Sequence, residues 1–193
     1  MINKITESKV VIDNTTLSNF SLADNLHLLN EVFQGNKIIT VAVKLESFEK
    51  GKVKRDVSEA ISSGWLEVHE LHGVLMLAEY YAISKKHSMV SSEGFPKLGD
   101  GEAASVVYAK HMGYALITDD NGPKKLAQSL GITTLGTIGI LYIAQQKGIL
   151  SIPTCNLLFS EMKCNGAYFP KKYQMYNDCI SDLESKFMLR KHQ

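Results

Sequence analysis

The stretch from Tyr114 to Lys147 limits the possible fold more than any other part of the chain. Tyr114 to Thr118 reads as a strand, Pro123 to Leu130 as a helix, Thr133 to Leu135 as a strand and Ile138 to Lys147 as a helix. Strands alternating with helices at this spacing argue for a parallel sheet with helices on both faces. An α/β architecture is therefore expected.

The rest of the chain extends the pattern. Lys9 to Asp13 is β-branched and too short for a helix, so it is expected as the first strand. Thr15 or Thr16 is placed to cap a following helix with Leu17, Phe20 and Leu22 on its apolar side. A second helix is expected from about Asn25 to Phe33, ended by Gly35-Asn36, and a second strand from Lys37 to Thr40. Val41, Val43, Leu45 and Phe48 begin a helical segment that breaks near Gly51, and Asp56 to Ile61 reads as helix. Trp65 to Leu71 alternates apolar and polar residues, as an edge strand does, and Val74 to Ile83 reads as a helix. A polar connection with Ser91, Ser92, Gly94 and Pro96 leads to a helix from Gly101 to His111, capped by Asp100. After Gly148 only helices are expected, around Cys155 to Met162 and Lys171 to Leu189. The expected division is residues 1–147 as an α/β domain and 148–193 as a helical extension packed on it.

A chain of 193 residues can bury one good core, and its 45% hydrophobic and 21% charged residues are ordinary for a globular protein. The longest apolar candidate, Gly136 to Ala144, is too short to span a bilayer, and Met1-Ile2-Asn3-Lys4 lacks the apolar core of a signal peptide. A cytoplasmic location and no membrane partner are expected. Cys155, Cys164 and Cys179 form no Cys-x-x-Cys unit, so free, mostly buried thiols are expected rather than zinc or disulfides. The formal charge of +1 advertises no nucleic-acid affinity for the chain as a whole. Basic residues do cluster, at Lys50, Lys52, Lys54 and Arg55; Lys85, Lys86 and His87; Lys171 and Lys172; and Arg190, Lys191 and His192. Each cluster reads first as a solvated face.

Carboxylates are distributed more tellingly. Leu116-Ile117-Thr118-Asp119-Asp120 is an apolar run ending in two acids, Val10-Val11-Ile12-Asp13 ends in one, and Glu102 falls in the first turn of the helix that starts near Asp100. Singly, Asp13 or Asp120 could cap a helix and Glu102 could complement a helix dipole. Together they are harder to explain that way. Asp13 and Asp119 leave parallel strands at the same sheet edge, and the helix bearing Glu102 runs antiparallel to the strand before Asp119. Carboxylates converging there oppose one another's ionisation unless a cation neutralises them. Oxygen donors without neighbouring His or Cys suit Mg²⁺ or Mn²⁺ rather than zinc.

These strings resemble the PIN-domain nucleases. Val11-Ile12-Asp13-Asn14-Thr15-Thr16-Leu17 is similar to the family's opening motif, a strand-ending Asp with a hydroxyl residue two positions on. Leu98-Gly99-Asp100-Gly101-Glu102-Ala103-Ala104 resembles the LGxGEA helix start of a prokaryotic branch with toxin-like ribonucleases, and Leu116 to Asp120 resembles its next acidic motif. Leu130-Gly131-Ile132 and Leu135 to Leu141 are similar to the segment after it, while Lys147 to Leu150 and Gly166 to Phe169 echo the branch's late helices. The order and spacing of the motifs carry more weight than any one of them.

The resemblance implies a PIN-like three-layer α/β/α fold, with a central, mainly parallel sheet and extra C-terminal helices. It implies a divalent-metal-dependent endoribonuclease that hydrolyses RNA phosphodiester bonds. Asp13, Glu102 and Asp119 match the metal-binding and catalytic acids, with Asp120 as an auxiliary. Thr15 and Thr118 match supporting hydroxyl positions, and Val43-Lys44-Leu45-Glu46 fits the context of a further acid, with Glu49 a competitor for that role. One or two Mg²⁺ or Mn²⁺ ions would generate the nucleophile and stabilise the leaving oxygen. RNA, an antitoxin protein and a second copy of the chain are the implied partners; the nucleic-acid-binding residues are left unassigned.

Other features carry less. His69 and His72 form a His-x-x-His spacing without a third ligand. Gly136-Thr137-Ile138-Gly139 lacks the Lys of a P-loop and suits a tight strand-to-helix turn. Tyr80, Tyr81, Tyr168, Phe169, Tyr173 and Tyr176 read mainly as core or subunit contacts, and base stacking needs one of them exposed. A non-catalytic RNA-binding or scaffold protein retaining the fold is the competing reading. A phosphorelay receiver is disfavoured, because Asp13-Asn14-Thr15 supplies no acid pair after the first strand.

Overall fold

The computed structural model describes residues 2–49, 51–85 and 97–189. Among them, β1 (Val10–Ile12), β2 (Lys37–Thr40), β3 (Leu66–His69), β4 (Ala115–Ile117) and β5 (Thr134–Leu135) form one sheet in the order β3-β2-β1-β4-β5. Every pairing is parallel. Helix α1 (Ile2–Glu7) precedes β1, and α2 (Asn14–Leu22) and α3 (Leu28–Val32) lead to β2. Helices α4 (Val41–Ser47) and α5 (Gly51–Ser62) lead to β3, and α6 (Val74–Ile83) and α7 (Asp100–Met112) lead to β4. Helix α8 (Asn121–Ser129) joins β4 to β5. After β5 come α9 (Thr137–Gln146), α10 (Ile152–Cys164), a 3-10 turn at Tyr176–Cys179 and α11 (Ile180–Leu189).

The central strands β1 and β4 read as unbroken apolar runs because both faces of the sheet are covered there, as parallel sheets require, whereas the edge strand β3 alternates. Alternation sends Val10, Ile12, Ile39 and Ile117 into one core with Leu17, Phe20, Val53, Ile140 and Phe159. Val11, Ile38 and Leu116 enter the other core with Val106, Val107 and Leu126. The result is a three-layer α/β/α sandwich with β3 at one edge and β5 at the other.

Helix α6 has the bounds read from the sequence; most other elements shift by a few residues. The helix expected over 25–33 shrinks to Leu28–Val32 because Asp24 takes a left-handed φ of 53° and the Asn25 side chain donates to Ala23 O. The helix expected from Asp56 starts at Gly51 instead, with Lys52 paired to Asp24 and Asp56 on its outer face. The long helix expected over 171–189 begins only at Ile180. Ahead of it, the Asp178 carboxylate accepts the backbone N–H groups of Gln174 at 2.7 Å and Met175 at 3.1 Å, which holds that stretch in a turn. Helix α1 was not anticipated.

The C-terminal elements are fastened by aromatic contacts: Phe169 stacks on Phe159 with centroids 4.5 Å apart, and Phe187 on Tyr142 at 5.1 Å. Cys155 and Cys179 are buried free thiols, pushed by burial to about 11 and about 12, so both stay protonated near neutrality; Cys164 is exposed. Among the described residues no helix is long and apolar enough to cross a membrane. The connection with Ser91 to Pro96, and Lys50, Lys86, His87, Arg190, Lys191 and His192 of the basic clusters, lie outside the described residues.

Candidate functional site

The chain runs from β1 outward to β2 and β3, then returns to place β4 on the other side of β1. The strand order therefore reverses between β1 and β4, and the crevice beyond their carboxyl ends is where open α/β sheets bind ligands. Ile12 pairs with Ile117, and the N–H of Asp13 donates to Ile117 O at 2.9 Å. Asp13 and Thr118 thus leave their strands at the same level.

Asp13 occupies the N-cap position of α2, yet its side chain makes no capping hydrogen bond. It is 1% exposed. Its Oδ2 accepts a hydrogen bond from Thr118 Oγ1 at 3.0 Å, while its Oδ1 is buried without any partner. Burial raises the carboxyl from 3.8 to about 7; Thr118 and the Asn14 backbone N–H oppose the rise, and the negative charges of Asp120 and Glu102 add to it. A buried acceptor left unpaired costs about 1–3 kcal/mol, more if charged, so such a group calls for an explanation.

Asp120 and Glu102 are near enough for their charges to act on Asp13. Asp120 stands at the N-cap position of α8, also without a capping bond from its side chain, and its Oδ2 accepts from Thr15 Oγ1. The Asp120 N–H donates to Thr118 Oγ1 at 3.3 Å, so this single hydroxyl links Asp13 to Asp120. Glu102, in the first turn of α7, accepts from the Gly99 N–H at 2.8 Å. Glu46 of α4 accepts from the Gly101 N–H at 2.7 Å. Burial pushes the Glu46 carboxyl up, and Glu102, Asp100 and Glu49 push the same way. Glu49 itself is exposed, so Glu46 is the acid that packs against the start of α7. Gly101 is needed there: a Cβ would lie 2.4 Å from Glu46 Oε2.

Asp119 has a different environment. Its Oδ1 accepts the Thr137 N–H at 2.9 Å. Its Oδ2 accepts from Asn19 Nδ2 at 3.1 Å, Thr16 Oγ1 at 3.4 Å and Thr137 Oγ1. Three donors thus share Oδ2 and one reaches Oδ1. A Cβ on Gly136, just before α9, would come 2.6 Å from Asp119 Oδ1, so this approach too depends on glycine. The two members of the Asp pair thus meet different surroundings. Asp120 acts on Asp13, whereas Asp119 braces α2 against α9.

Thr16, Asn19, Thr137, Gly101 and Gly136 were not singled out for this role. The spacing of Thr16 and Asn19, three apart on one helix face, is the signal that could have found them. His69 spends both ring nitrogens, on Tyr108 Oη at 2.6 Å and Glu67 at 2.9 Å, and is no metal ligand candidate.

Among the described residues no three or more His, Cys, Asp or Glu side chains stand grouped ready to hold a metal ion. The donor chemistry nevertheless fits a hard cation. Asp13 offers an unpartnered carboxylate oxygen, and the carboxylates whose charge acts on it are Asp120 and Glu102.

A family model described as PIN domain matches residues 9–185. No curated protein matches the chain. Among solved structures, it is similar to a PilT N-terminus domain protein from the hyperthermophilic archaeon Sulfolobus solfataricus P2. The two are 15% identical with a TM-score of 0.47, over 72% of this chain and 92% of that one. It is also similar to VapBC2 from Rickettsia felis, solved bound to a DNA fragment from their promoter. Here identity is 14% and the TM-score 0.42, over 66% of this chain and 98% of that one.

Proposed function

Because the chain belongs to the PIN-domain family, we propose that it is a divalent-cation-dependent endoribonuclease working at the pocket of Asp13, Asp120, Glu102 and Glu46. The observation that carries this reading is the buried Asp13 carboxyl, with one oxygen unpartnered and its acidity weakened to about 7 by burial and by neighbouring acids. The side chain sits at the N-cap position of α2 without capping it.

In this reading Asp13, Asp120, Glu102 and Glu46 would hold Mg²⁺ or Mn²⁺. When bound, the cation supplies Lewis-acid activation of water and neutralises charge that builds on the phosphate. The chain's own groups prepare the site. Thr118 and Thr15 hold the Asp13 and Asp120 carboxylates in place. Glu46 and Glu102 are fixed by backbone N–H groups of Gly101 and Gly99. Asp119 ties the β4 end to α2 and α9 so that the crevice keeps its shape. Water adds to phosphorus, the bond to the 3′ oxygen breaks, and the products carry a 5′-phosphate and a 3′-hydroxyl.

The same reading assigns the chain to the toxin half of a toxin–antitoxin pair in the cytoplasm, with an antitoxin and a second copy of itself as partners. It also takes 1–147 as the nuclease domain and 148–193 as an extension packed on it. The decisive test is a manganese titration followed by thermal melting, alongside cleavage of single-stranded RNA. Wild type is expected to be stabilised and to cleave, and Asp13→Asn to do neither while keeping its circular dichroism spectrum. A wild type that binds RNA but shows neither effect would establish the non-catalytic RNA-binding reading instead.

A further inference from the structure

Asp119 also lines a cleft that Asp13, Asp120, Glu102 and Glu46 do not reach. Its volume is about 260 Å³, slightly under the range of about 300–1,000 Å³ typical of whole-ligand pockets. One wall is Gly136 and Ile138 at the start of α9, with Lys124 of α8; the other is the C-terminal segment with Tyr168, Tyr173 and Lys186. The cleft therefore joins the end of β4 to the extension.

Its lining has a definite chemistry. Phe169 is buried and stacked on Phe159, which pins the segment, while the adjacent Tyr168 stands 74% exposed at the cleft. Of the six aromatic residues considered from the sequence, Tyr168 is the most exposed in this wall; Phe169 and Tyr176 are buried. Asp182, the second acid of the cleft, is engaged by Lys172 and by the Tyr173 hydroxyl, which hold its carboxyl below the usual range. The remaining charged lining among the described residues is Asp119, Lys124 and Lys186. Lys124 Nζ comes within 3.4 Å of the point above Gly136 that Asp119 Oδ1 approaches to 2.6 Å. A cation thus sits at the junction of the cleft with the acidic crevice.

We propose that this cleft is a nucleobase subsite: it seats the base of a nucleotide flanking the scissile phosphodiester against Tyr168, with the adjoining phosphate on Lys124. Aromatic faces beside a lysine suit a stacked base and its phosphate. A peptide is disfavoured, because the bordering edge strand β5 spans only Thr134–Leu135 and offers no extended ladder for a partner strand. The position of the subsite in the reaction rests on the ribonuclease reading; binding of the base does not.

The test separates the two. A short fluorescein-labelled single-stranded RNA is titrated by anisotropy with chelator present, and its cleavage is followed separately with manganese. Tyr168→Ala is expected to weaken binding about tenfold, with Tyr168→Phe close to wild type. Lys124→Ala is expected to lower the salt dependence of binding by about one phosphate contact. If Tyr168→Ala binds and cleaves like wild type, the subsite is overturned and the nuclease stands. If Tyr168 governs binding but wild type does not cleave, the nuclease fails and the subsite stands. Tyr168-dependent capture of a peptide, with no RNA binding, overturns the subsite in favour of a protein partner.

Discussion

Asp13 and Asp119 follow neighbouring parallel strands, yet they illustrate opposite uses of a carboxylate. Asp119 receives four donors and closes a bridge between α2 and α9. Asp13 receives one side-chain donor, is more deeply buried, and keeps an oxygen without a partner. A carboxylate with four donors is well satisfied in the fold, whereas one with an unpartnered oxygen in a dry crevice carries an uncompensated cost when ionised. The contrast teaches that two acids leaving neighbouring strands at one sheet edge can meet quite different sets of donors.

The sharpest way to break this contrast is to neutralise the two members of the Asp119-Asp120 pair separately. Asp120→Asn is expected to remove most of the manganese-induced rise in melting temperature and nearly all RNA cleavage, with metal-free stability almost unchanged. Asp119→Asn is expected to lose about 1–3 kcal/mol of metal-free stability, because an amide cannot accept all four donors, while retaining a manganese shift. Equal loss of the shift in both variants would erase the distinction between clamp and ligand.

A second test uses pH. The Asp13 carboxyl titrates near 3.8 unfolded and about 7 folded. Its neutral form is favoured by the fold, so that contribution is fully present below 3.8, is lost progressively as pH rises, and is gone above about 7. Metal-free wild type should therefore lose up to about 4 kcal/mol across that window. Asp13→Asn should flatten the profile and be more stable than wild type at about pH 8, a reversal measurable by urea denaturation. A variant destabilised at every pH would mean that the ionised Asp13 is satisfied in the fold.

A third test concerns the support of Glu46. Gly101→Ala should cost about 1–3 kcal/mol, since the new methyl would press on the Glu46 carboxylate. It should lower cleavage through Glu46 while leaving the Asp119 clamp intact, which kinetic and melting data on one preparation can check.

Much of this was legible in the chain. The βαβα rhythm after Tyr114 specified parallel strands, because only a covered sheet buries runs such as Val10-Val11-Ile12 on both faces. Helix α6 was read with the bounds it has, and Glu102 was placed in the first turn of α7. Less visible was what lies between helices. Nothing in the local sequence says that Asn25 and Asp24 halt a helix, or that Asp178 folds the stretch before Ile180 into a turn, since both depend on side-chain bonds to particular backbone groups. The choice of Glu46 over Glu49 also needed α4 to meet α7.

By itself, then, the sequence determined which residue types leave the sheet at its carboxyl edge: apolar strands ending in acids are a local pattern, set by burial and by period. Which acid collects four donors and which keeps an unpartnered oxygen was decided only by tertiary structure. Asp119 collects four donors because Thr16 and Asn19, a hundred positions and more away in the chain, meet Thr137 at the start of α9. Asp13 stays open because no donor reaches its Oδ1 at the point where the strand order reverses. Hydrogen bonding acts over about 3 Å, so its outcome belongs to the packed fold and cannot be read from the order of residues.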